Sequence, residues 1–260
     1  MPYFDTHAHL DSQKIADDLH AVITQARNAK VDGILTVATG ILSTKRNWEI
    51  AKANTGVYFS AGIHPNSVLE SPENTLENLQ EWLIRNLPVA VGEIGLDRYW
   101  HDTPFETQMA FFAGQLELAH AFQLPVLIHC RDAWPDMLSA LETQEKRHGP
   151  VKGIMHSFSG DEYAAGRCLE LGLHLSFSGM ATFKKNDLLR KIIADCPLDR
   201  MHAETDSPYL TPEPFRGKRN EPSNVPLIVE ALARAKNLPE PTMEKALWKN
   251  AHALLGIPLA

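Results

Sequence analysis

The stretch Pro125-Val126-Leu127-Ile128-His129 shows the pattern that decides the fold, because a short apolar run ends in a histidine. Four to eight aliphatic and β-branched residues bounded by turn residues are typical of a strand buried on both faces of a parallel sheet. Runs of this kind recur along the whole chain. The runs that we predict as strands are Tyr3–Ala8, Gly33–Ala38, Val57–Gly62, Val89–Ile94, Val126–His129, Gly153–His156, His174–Ser178 and Arg200–Glu204.

Amphipathic segments of helical length separate these runs. Eight strands that alternate with eight helices predict an α/β fold, in which the parallel strands close into a single (β/α)₈ TIM barrel. A further helix near residues 242–254 is predicted as an addition after the eighth unit. The eight alternating helices are predicted near residues 14–29, 43–54, 73–86, 105–123, 133–146, 161–171, 187–195 and 223–236.

Length and composition favour one domain that spans residues 1–260. A TIM barrel needs about 250 residues, and 44% of this chain is hydrophobic while 22% is charged. We find no apolar run near the roughly 20 residues of a membrane span and no signal-peptide pattern. Three scattered cysteines suit reduced thiols, so we expect a cytoplasmic protein with no membrane partner. The formal net charge of −7 argues against broad, nonspecific adhesion to nucleic acid.

Ionisable side chains stand where the predicted strands end. In a TIM barrel these carboxyl-terminal ends form the active face. His7 and His9 are two residues apart on an extended chain, so both rings point to the same face. A lone histidine is more often a packed core residue than a ligand, but burying four histidines with two carboxylates is costly without a cation. The other members of this predicted metal site are Glu93, His129, His156 and Asp206.

The segments around these positions resemble the motifs of the TatD family of metal-dependent deoxyribonucleases, within the wider group of amidohydrolase-like barrels. The resemblance extends over nearly the whole chain, and the order of the motifs is far more specific than a His-x-His pair alone. It is carried by Asp5-Thr6-His7-Ala8-His9-Leu10-Asp11, Gly62-Ile63-His64-Pro65, Gly92-Glu93-Ile94-Gly95-Leu96-Asp97, His129-Cys130-Arg131-Asp132, His156-Ser157-Phe158-Ser159-Gly160 and Glu204-Thr205-Asp206-Ser207-Pro208-Tyr209-Leu210.

The resemblance implies a site for two divalent metal ions, with Glu93 as the residue that bridges them. Two such ions lower the pKa of a bound water and brace a phosphodiester. We predict that Asp206 is both a ligand and the general base, with a ligand-only role as the alternative. Mg²⁺, Mn²⁺ and Zn²⁺ all suit such mixed ligands. Besides Glu93, the expected ligands are His7, His9 and Asp206 for one ion, and His129 and His156 for the other.

Three further residues on or just after the predicted strands are candidates for supporting roles. His64, at the third strand, is expected to contact phosphate or the leaving group, or to support the site structurally. Glu204 shares a strand face with Asp206 and is expected to orient water or a ligand. Asp5 shares the face of His7 and is expected to support the metal ligands rather than bind the metal.

Basic and aromatic residues near the predicted active face are candidates for substrate contact. Arg131 is expected either to touch phosphate or to pair with Asp132. The segment 207–222 contains three basic residues, including Arg219, and is interpreted as a phosphate-steering clamp, with a solvated surface loop as the alternative. Three aromatic residues are candidates either for stacking on a base or for packing: Trp100, Tyr209 and Phe215.

The favoured function is hydrolysis of DNA phosphodiester bonds by a 3′–5′ exodeoxyribonuclease, as the resemblance implies. The alternative is hydrolysis of an ester or amide bond, for example by a D-aminoacyl-tRNA deacylase or a small amide or lactone hydrolase. Many binuclear amidohydrolases use a carboxylated lysine at strand four, but segment 89–97 has no lysine, which favours the nuclease branch. A metal-binding protein without turnover is a third hypothesis, disfavoured by the complete ligand set and Asp206. We expect DNA as the partner and a monomer, since one barrel carries every ligand.

Overall fold

Eight parallel strands form the centre of the molecule. The computed structural model describes residues 2–259. Its strands lie side by side in chain order, from the first to the eighth. This arrangement confirms the predicted TIM barrel. The strands are β1 (Tyr3–Ala8), β2 (Val31–Thr36), β3 (Val57–Ala61), β4 (Ala90–Asp97), β5 (Val126–Arg131), β6 (Gly153–Met155), β7 (His174–Phe177) and β8 (Met201–Ala203).

Helices connect the strands and surround them. Short 3₁₀ segments lie at Pro65–Ser67, Gly179–Thr182, Leu198–Arg200 and Pro222–Asn224. Apolar side chains of the surrounding helices pack against the outward-facing side chains of the strands in one large buried cluster. The helices are α1 (Gln13–Ala16), α2 (Leu19–Asn28), α3 (Ile41–Ala53), α4 (Leu76–Asn86), α5 (Phe105–Ala121), α6 (Trp134–His148), α7 (Glu162–Glu170), α8 (Asp187–Asp195), α9 (Val225–Ala235) and α10 (Glu240–Leu255).

The barrel closes where β1 meets β8 and the segment that follows it. The backbone N–H of Asp206 donates to the carbonyl of His7 at 2.8 Å, and that of His9 donates to Ser207 at 2.7 Å. A parallel bridge joins Ala8 and Ser207. The closing seam therefore includes the backbones of three residues that the sequence assigned to the metal site, His7, His9 and Asp206.

Two predicted boundaries were wrong in ways that local chemistry explains. The helix predicted over residues 14–29 is two helices, because α1 ends at Ala16 and α2 begins at Leu19. Aspartates favour turns and caps over helix interiors, and Asp17 and Asp18 occupy the break. Strand β4 continues to Asp97 instead of ending at Ile94, because its last residues are buried and pair with β5.

The last helix, α10, covers the end of the barrel opposite the carboxyl ends of the strands. Its Leu254 and Leu255 belong to a buried cluster with barrel residues such as Phe4 and Leu127. Phe4, near the start of β1, also makes an edge contact with the ring of His252. The predicted extra helix is thus part of the core that fills this end of the barrel.

All three cysteines are buried and free. Burial raises the pKa of the Cys168 and Cys196 thiols to about 12, and it raises the pKa of Cys130 as well. These thiols stay protonated at neutral pH. Separately, no helix within residues 2–259 combines the length and hydrophobicity needed to cross a membrane.

The packing of α10 predicts a clear difference between two leucines of the same terminal region. Leu254 is 6% exposed and Leu259 is 58% exposed. We expect Leu254→Ala to lower the free energy of unfolding by about 2–5 kcal/mol, because it leaves a cavity at the barrel end. The matched control Leu259→Ala changes it by less than about 0.5 kcal/mol. Urea unfolding of both variants is the measurement, and equal values contradict a core role for α10.

Candidate metal centre

Glu93, on β4, is the buried carboxylate around which the site is arranged. Its Oε1 atom lies 3.0 Å from Nε2 of His156, 3.1 Å from Nδ1 of His129 and 3.6 Å from Nε2 of His64. These three rings come from the ends of β6, β5 and β3. Parallel strands bring such ends together because all of them reach the same face of the barrel.

The second oxygen of Glu93 faces a different pair of histidines. Oε2 lies 3.4 Å from Nε2 of His7 and 3.7 Å from Nε2 of His9. Asp206 faces the same pair, with its Oδ1 atom 3.9 Å from His7 and 3.4 Å from His9. The two oxygens of one carboxylate therefore face two separate groups of ring nitrogens.

Glycine allows β4 and β5 to approach closely beside these ligands. Gly95 has a φ of +150°, and a Cβ atom there would lie 1.9 Å from the carbonyl oxygen of His129. A residue with a side chain would push the two strands apart. The Glu93–His129 contact thus depends on glycine at this position.

Two of the histidines are held by carboxylates behind them. His129 Nε2 lies 2.9 Å from Oδ2 of Asp97, and His156 Nδ1 lies 3.1 Å from Oε1 of Glu204. An ionised carboxylate only accepts hydrogen bonds, so these nitrogens carry the ring protons. The opposite nitrogen of each ring faces Glu93, and it would present its lone pair to a cation that replaced the proton there. This is the arrangement found around histidines that bind metals.

The other pair, His7 and His9, is oriented by the backbone and by ring packing. His9 Nδ1 donates to the carbonyl of Val37 at 3.2 Å, so Nε2 is the nitrogen that faces the carboxylates and that a cation would bind in place of a proton. The ring of His7 stacks on that of His156 with centroids 4.0 Å apart. Nδ1 of His7 is buried and has no hydrogen-bond partner in the described part of the chain.

The electrostatics of the cluster favour a cation. Although burial opposes ionisation, His156, His64 and His7 hold the pKa of Glu93 well below its usual value. Burial disfavours protonation of His156, yet Glu93 and Glu204 raise its pKa well above the usual value. Burial also opposes protonation of His9, but the hydrogen bond with Asp206 and the charge of Glu93 raise its pKa to about 9. The carboxylates therefore favour protonation of the ring nitrogens. A divalent cation competes with these protons for the same nitrogens.

The donor set fits divalent metal ions. Three overlapping groups of residues have ligand atoms within 4.8 Å of one another, and imidazole and carboxylate are ligands that such ions accept. All six residues that the sequence assigned to the metal site occur in these groups, but the grouping differs from the expected one and includes His64. The groups are His7, His156 and Asp206; His7, His9 and Glu93; and His64, Glu93 and His129.

Asp5 and Glu204 support the cluster and lie outside these groups. Asp5 accepts hydrogen bonds from the backbone N–H of Thr205 at 2.8 Å and from its hydroxyl, and burial raises its pKa to about 8. Glu204 accepts a further hydrogen bond from the backbone N–H of Ser157 at 2.7 Å. Asp5 links β1 to the segment after β8, and Glu204 orients His156.

The two arginine candidates lie in different surroundings. The Arg131 guanidinium lies over the ring of Tyr99, 3.6 Å from its centroid, and no ion pair with Asp132 is found among the described residues. Arg219 forms ion pairs at 2.7 Å with Asp18 and with Glu221. It also donates to the carbonyl of Lys14, so it connects its loop to helix α1. Arg131 faces an open cavity above the cluster, whereas Arg219 holds its loop in place.

Above the cluster lies an open cavity of about 850 Å³, which we call the mouth. Two exposed aromatic residues line it, Trp100 with 51% and Tyr209 with 49% of their surface accessible. Phe215 is 41% exposed. In the same loop, Arg216 lies over the ring of Phe183 and Lys218 lies over the ring of Phe215. The residues that line the mouth include His64, Trp100, Arg131, Asp206 and Tyr209.

Asp97 is a residue of the candidate site that the sequence reasoning missed. Besides His129, its side chain accepts hydrogen bonds from Nδ2 of Asn66 at 3.0 Å and from the backbone N–H groups of Tyr99 and Trp100. Although burial opposes ionisation, these bonds lower its pKa. The sequence feature that could have identified Asp97 is its position as an acidic residue at the end of a buried strand.

Known proteins are similar to this chain in sequence and architecture. The family described as TatD related DNase matches residues 4–256. YabD of Bacillus subtilis strain 168, an uncharacterized metal-dependent hydrolase, is 37% identical over 254 residues, which cover 98% of this chain and 99% of YabD. The crystal structure of YjjV, a TatD homologue from Escherichia coli K12, superimposes with a TM-score of 0.92 at 31% identity, over 98% of each chain. The chain belongs to the TatD-related DNase family of metal-dependent hydrolases.

Proposed function

We propose that this protein hydrolyses phosphodiester bonds at DNA ends, as a divalent-metal-dependent 3′–5′ exodeoxyribonuclease that acts as a monomer. The observation that carries the proposal is the position of Glu93, whose two oxygens face separate groups of histidines. Such a carboxylate is suited to bridge two cations. The family match supports nuclease chemistry for a centre of this kind.

The residues that would hold two ions of Mg²⁺, Mn²⁺ or Zn²⁺ in the proposed centre are His7, His9, His129, His156, Glu93 and Asp206. When bound, divalent ions supply Lewis acidity, which favours ionisation of water and neutralises charge on a phosphate. The chain itself fixes the ring nitrogens in place through Asp97, Glu204 and the Val37 carbonyl.

Asp206 is the proposed general base. It lines the mouth, and although burial opposes ionisation, its hydrogen bond with His9 lowers its pKa, so it is ionised at neutral pH. Its φ of 53° turns the chain after β8 so that the carboxylate faces His9. An ionised carboxylate at this place can orient a water and accept its proton.

The rim of the mouth supports a nucleic-acid substrate over a small amide. Trp100 and Tyr209 present exposed rings at the cavity, and stacking on aromatic rings is the common way to hold unpaired bases. Arg131 supplies a cation beside Trp100, with its guanidinium 5.9 Å from the ring centroid. Lys14 supplies another at Tyr209, 5.2 Å from that ring.

A substrate panel tests the proposal. We expect the protein loaded with Mg²⁺, Mn²⁺ or Zn²⁺ to shorten single-stranded DNA from its 3′ end, and a chelator to abolish the reaction. RNA, D-aminoacyl-tRNA, a lactone and a small amide complete the panel. Cleavage of an ester or amide substrate with no loss of DNA would favour the alternative function and rule out the exodeoxyribonuclease.

The base assignment predicts that Asp206→Asn loses about 10²–10⁴-fold in kcat. Asparagine tolerates the left-handed backbone of this position, so the fold is expected to stay intact. Asp132→Asn is the matched control, because Asp132 is an exposed aspartate with a similar φ of 54° on the same side of the barrel. Equal kcat values for Asp206→Asn and the wild type would remove Asp206 as the base.

The rim predicts a separate effect on substrate affinity. We expect Trp100→Ala to raise KM for single-stranded DNA about tenfold, since stacking contributes about 1–3 kcal/mol per base. Tyr163→Ala is the control, because Tyr163 is 69% exposed on α7 and is not a mouth-lining residue in the described structure. Steady-state kinetics measure both variants, and an unchanged KM for Trp100→Ala refutes the stacking role.

A further inference from the structure

A ring nitrogen of His64 accepts a hydrogen bond from the backbone. In the ligand candidates His9, His129 and His156, one ring nitrogen instead donates to an oxygen atom. It directly precedes the 3₁₀ segment Pro65–Ser67. Proline has no backbone N–H, so the first free donor of that segment is Asn66. The Asn66 N–H donates to Nδ1 of His64 at 3.2 Å.

This hydrogen bond fixes the proton on the other ring nitrogen. Because Nδ1 of His64 accepts a backbone N–H, it carries no proton, and the neutral imidazole must carry its proton on Nε2. Nε2 is the atom that faces Oε1 of Glu93, at 3.6 Å. A nitrogen that carries a proton has no lone pair for a cation. In His9, His129 and His156 the nitrogen that points away from Glu93 is the donor, so the nitrogen that faces Glu93 can give up its proton to a cation.

We propose that His64 is a substrate-binding residue that donates its Nε2–H to an oxygen of the scissile phosphate, and that it is not a metal ligand. The inference deepens the proposed phosphodiesterase function and rests on it. His64 lines the mouth, and its ring lies 4.6 Å from that of His129. A neutral donor at this place stabilises negative charge that develops on phosphate oxygens.

The position of His64 is tied to that of a ligand candidate. Asn66, whose N–H holds His64, also donates its side-chain amide to Oδ2 of Asp97. The same oxygen of Asp97 accepts from Nε2 of His129. One short network thus orients one ring as a hydrogen-bond donor and the neighbouring ring as a lone-pair donor.

Metal content separates the two roles of the rings. His64→Gln removes the ring but keeps an N–H donor, and His129→Gln is the matched control at a proposed ligand. After equilibration with Zn²⁺ and desalting, elemental analysis is expected to give wild-type metal content for His64→Gln and a reduced content for His129→Gln. A loss of zinc from His64→Gln, in protein whose circular dichroism is unchanged, would make His64 a ligand and overturn the proposal.

Phosphate binding tests the donor role without requiring turnover. Calorimetry of the Zn²⁺-loaded protein with inorganic phosphate is expected to show about tenfold weaker binding for His64→Ala than for the wild type. On the substrate that the panel identifies, kcat of His64→Ala is expected to fall about 10²–10³-fold, the usual loss of one such donor, and His64→Gln recovers part of it. Unchanged phosphate affinity in His64→Ala contradicts the donor role.

The ring proton is observable in the unmodified protein. Long-range ¹H–¹⁵N NMR of ¹⁵N-histidine-labelled wild type, assigned by comparison with His64→Gln, is expected to show Nε2 protonated and Nδ1 unprotonated at His64, before and after Zn²⁺ loading. Loss of the Nε2 proton on loading would refute the proposal. Metal content, phosphate binding and NMR all remain decisive if no DNA is cleaved, so failure of the nuclease function is distinguishable from failure at His64.

Discussion

The charge of one buried carboxylate, Glu93, is the constraint on which the rest of the site depends. A carboxylate taken out of water costs several kcal/mol unless positive charge or hydrogen-bond donors surround it. Glu93 is 3% exposed, and ring nitrogens of five histidines lie within 3.0–3.7 Å of its oxygens. These histidines come from strands far apart in the chain, and only a closed parallel barrel delivers their carboxyl ends to one point. The histidines that stabilise the charge of Glu93 therefore reach it only when the barrel is closed.

Some residues that close the barrel also belong to the candidate metal centre. The seam between β1 and the segment after β8 uses the backbones of His7, His9 and Asp206, whose side chains face Glu93 or each other. A disturbance of this seam moves three proposed ligands at once. At the opposite end of the barrel, α10 and Phe4 form an apolar core with no ionisable group of the site in it. The ionisable groups of the candidate site therefore lie at one end of the barrel, and apolar packing fills the other.

Much of this arrangement is readable in the sequence, because apolar periodicity is a local property. Runs such as 125–129 gave the strands, and ionisable residues at their ends gave the six proposed ligands. The local sequence pattern does not show which partner each polar side chain contacts. Residue type alone does not reveal that Arg219 turns to Asp18, that Asp97 holds His129, or that the N–H of Asn66 fixes the proton of His64. These depend on how loops are placed after the barrel has closed.

The burial of every native thiol has a practical consequence. Maleimides and other alkylating reagents react with thiolates, and protonated, buried thiols such as Cys168 and Cys196 are poor targets for them. A single cysteine introduced at the exposed position 132 would therefore carry a fluorophore or spin label beside the mouth without removal of the native cysteines. The wild-type protein therefore needs no prior cysteine replacement for site-specific labelling beside its mouth.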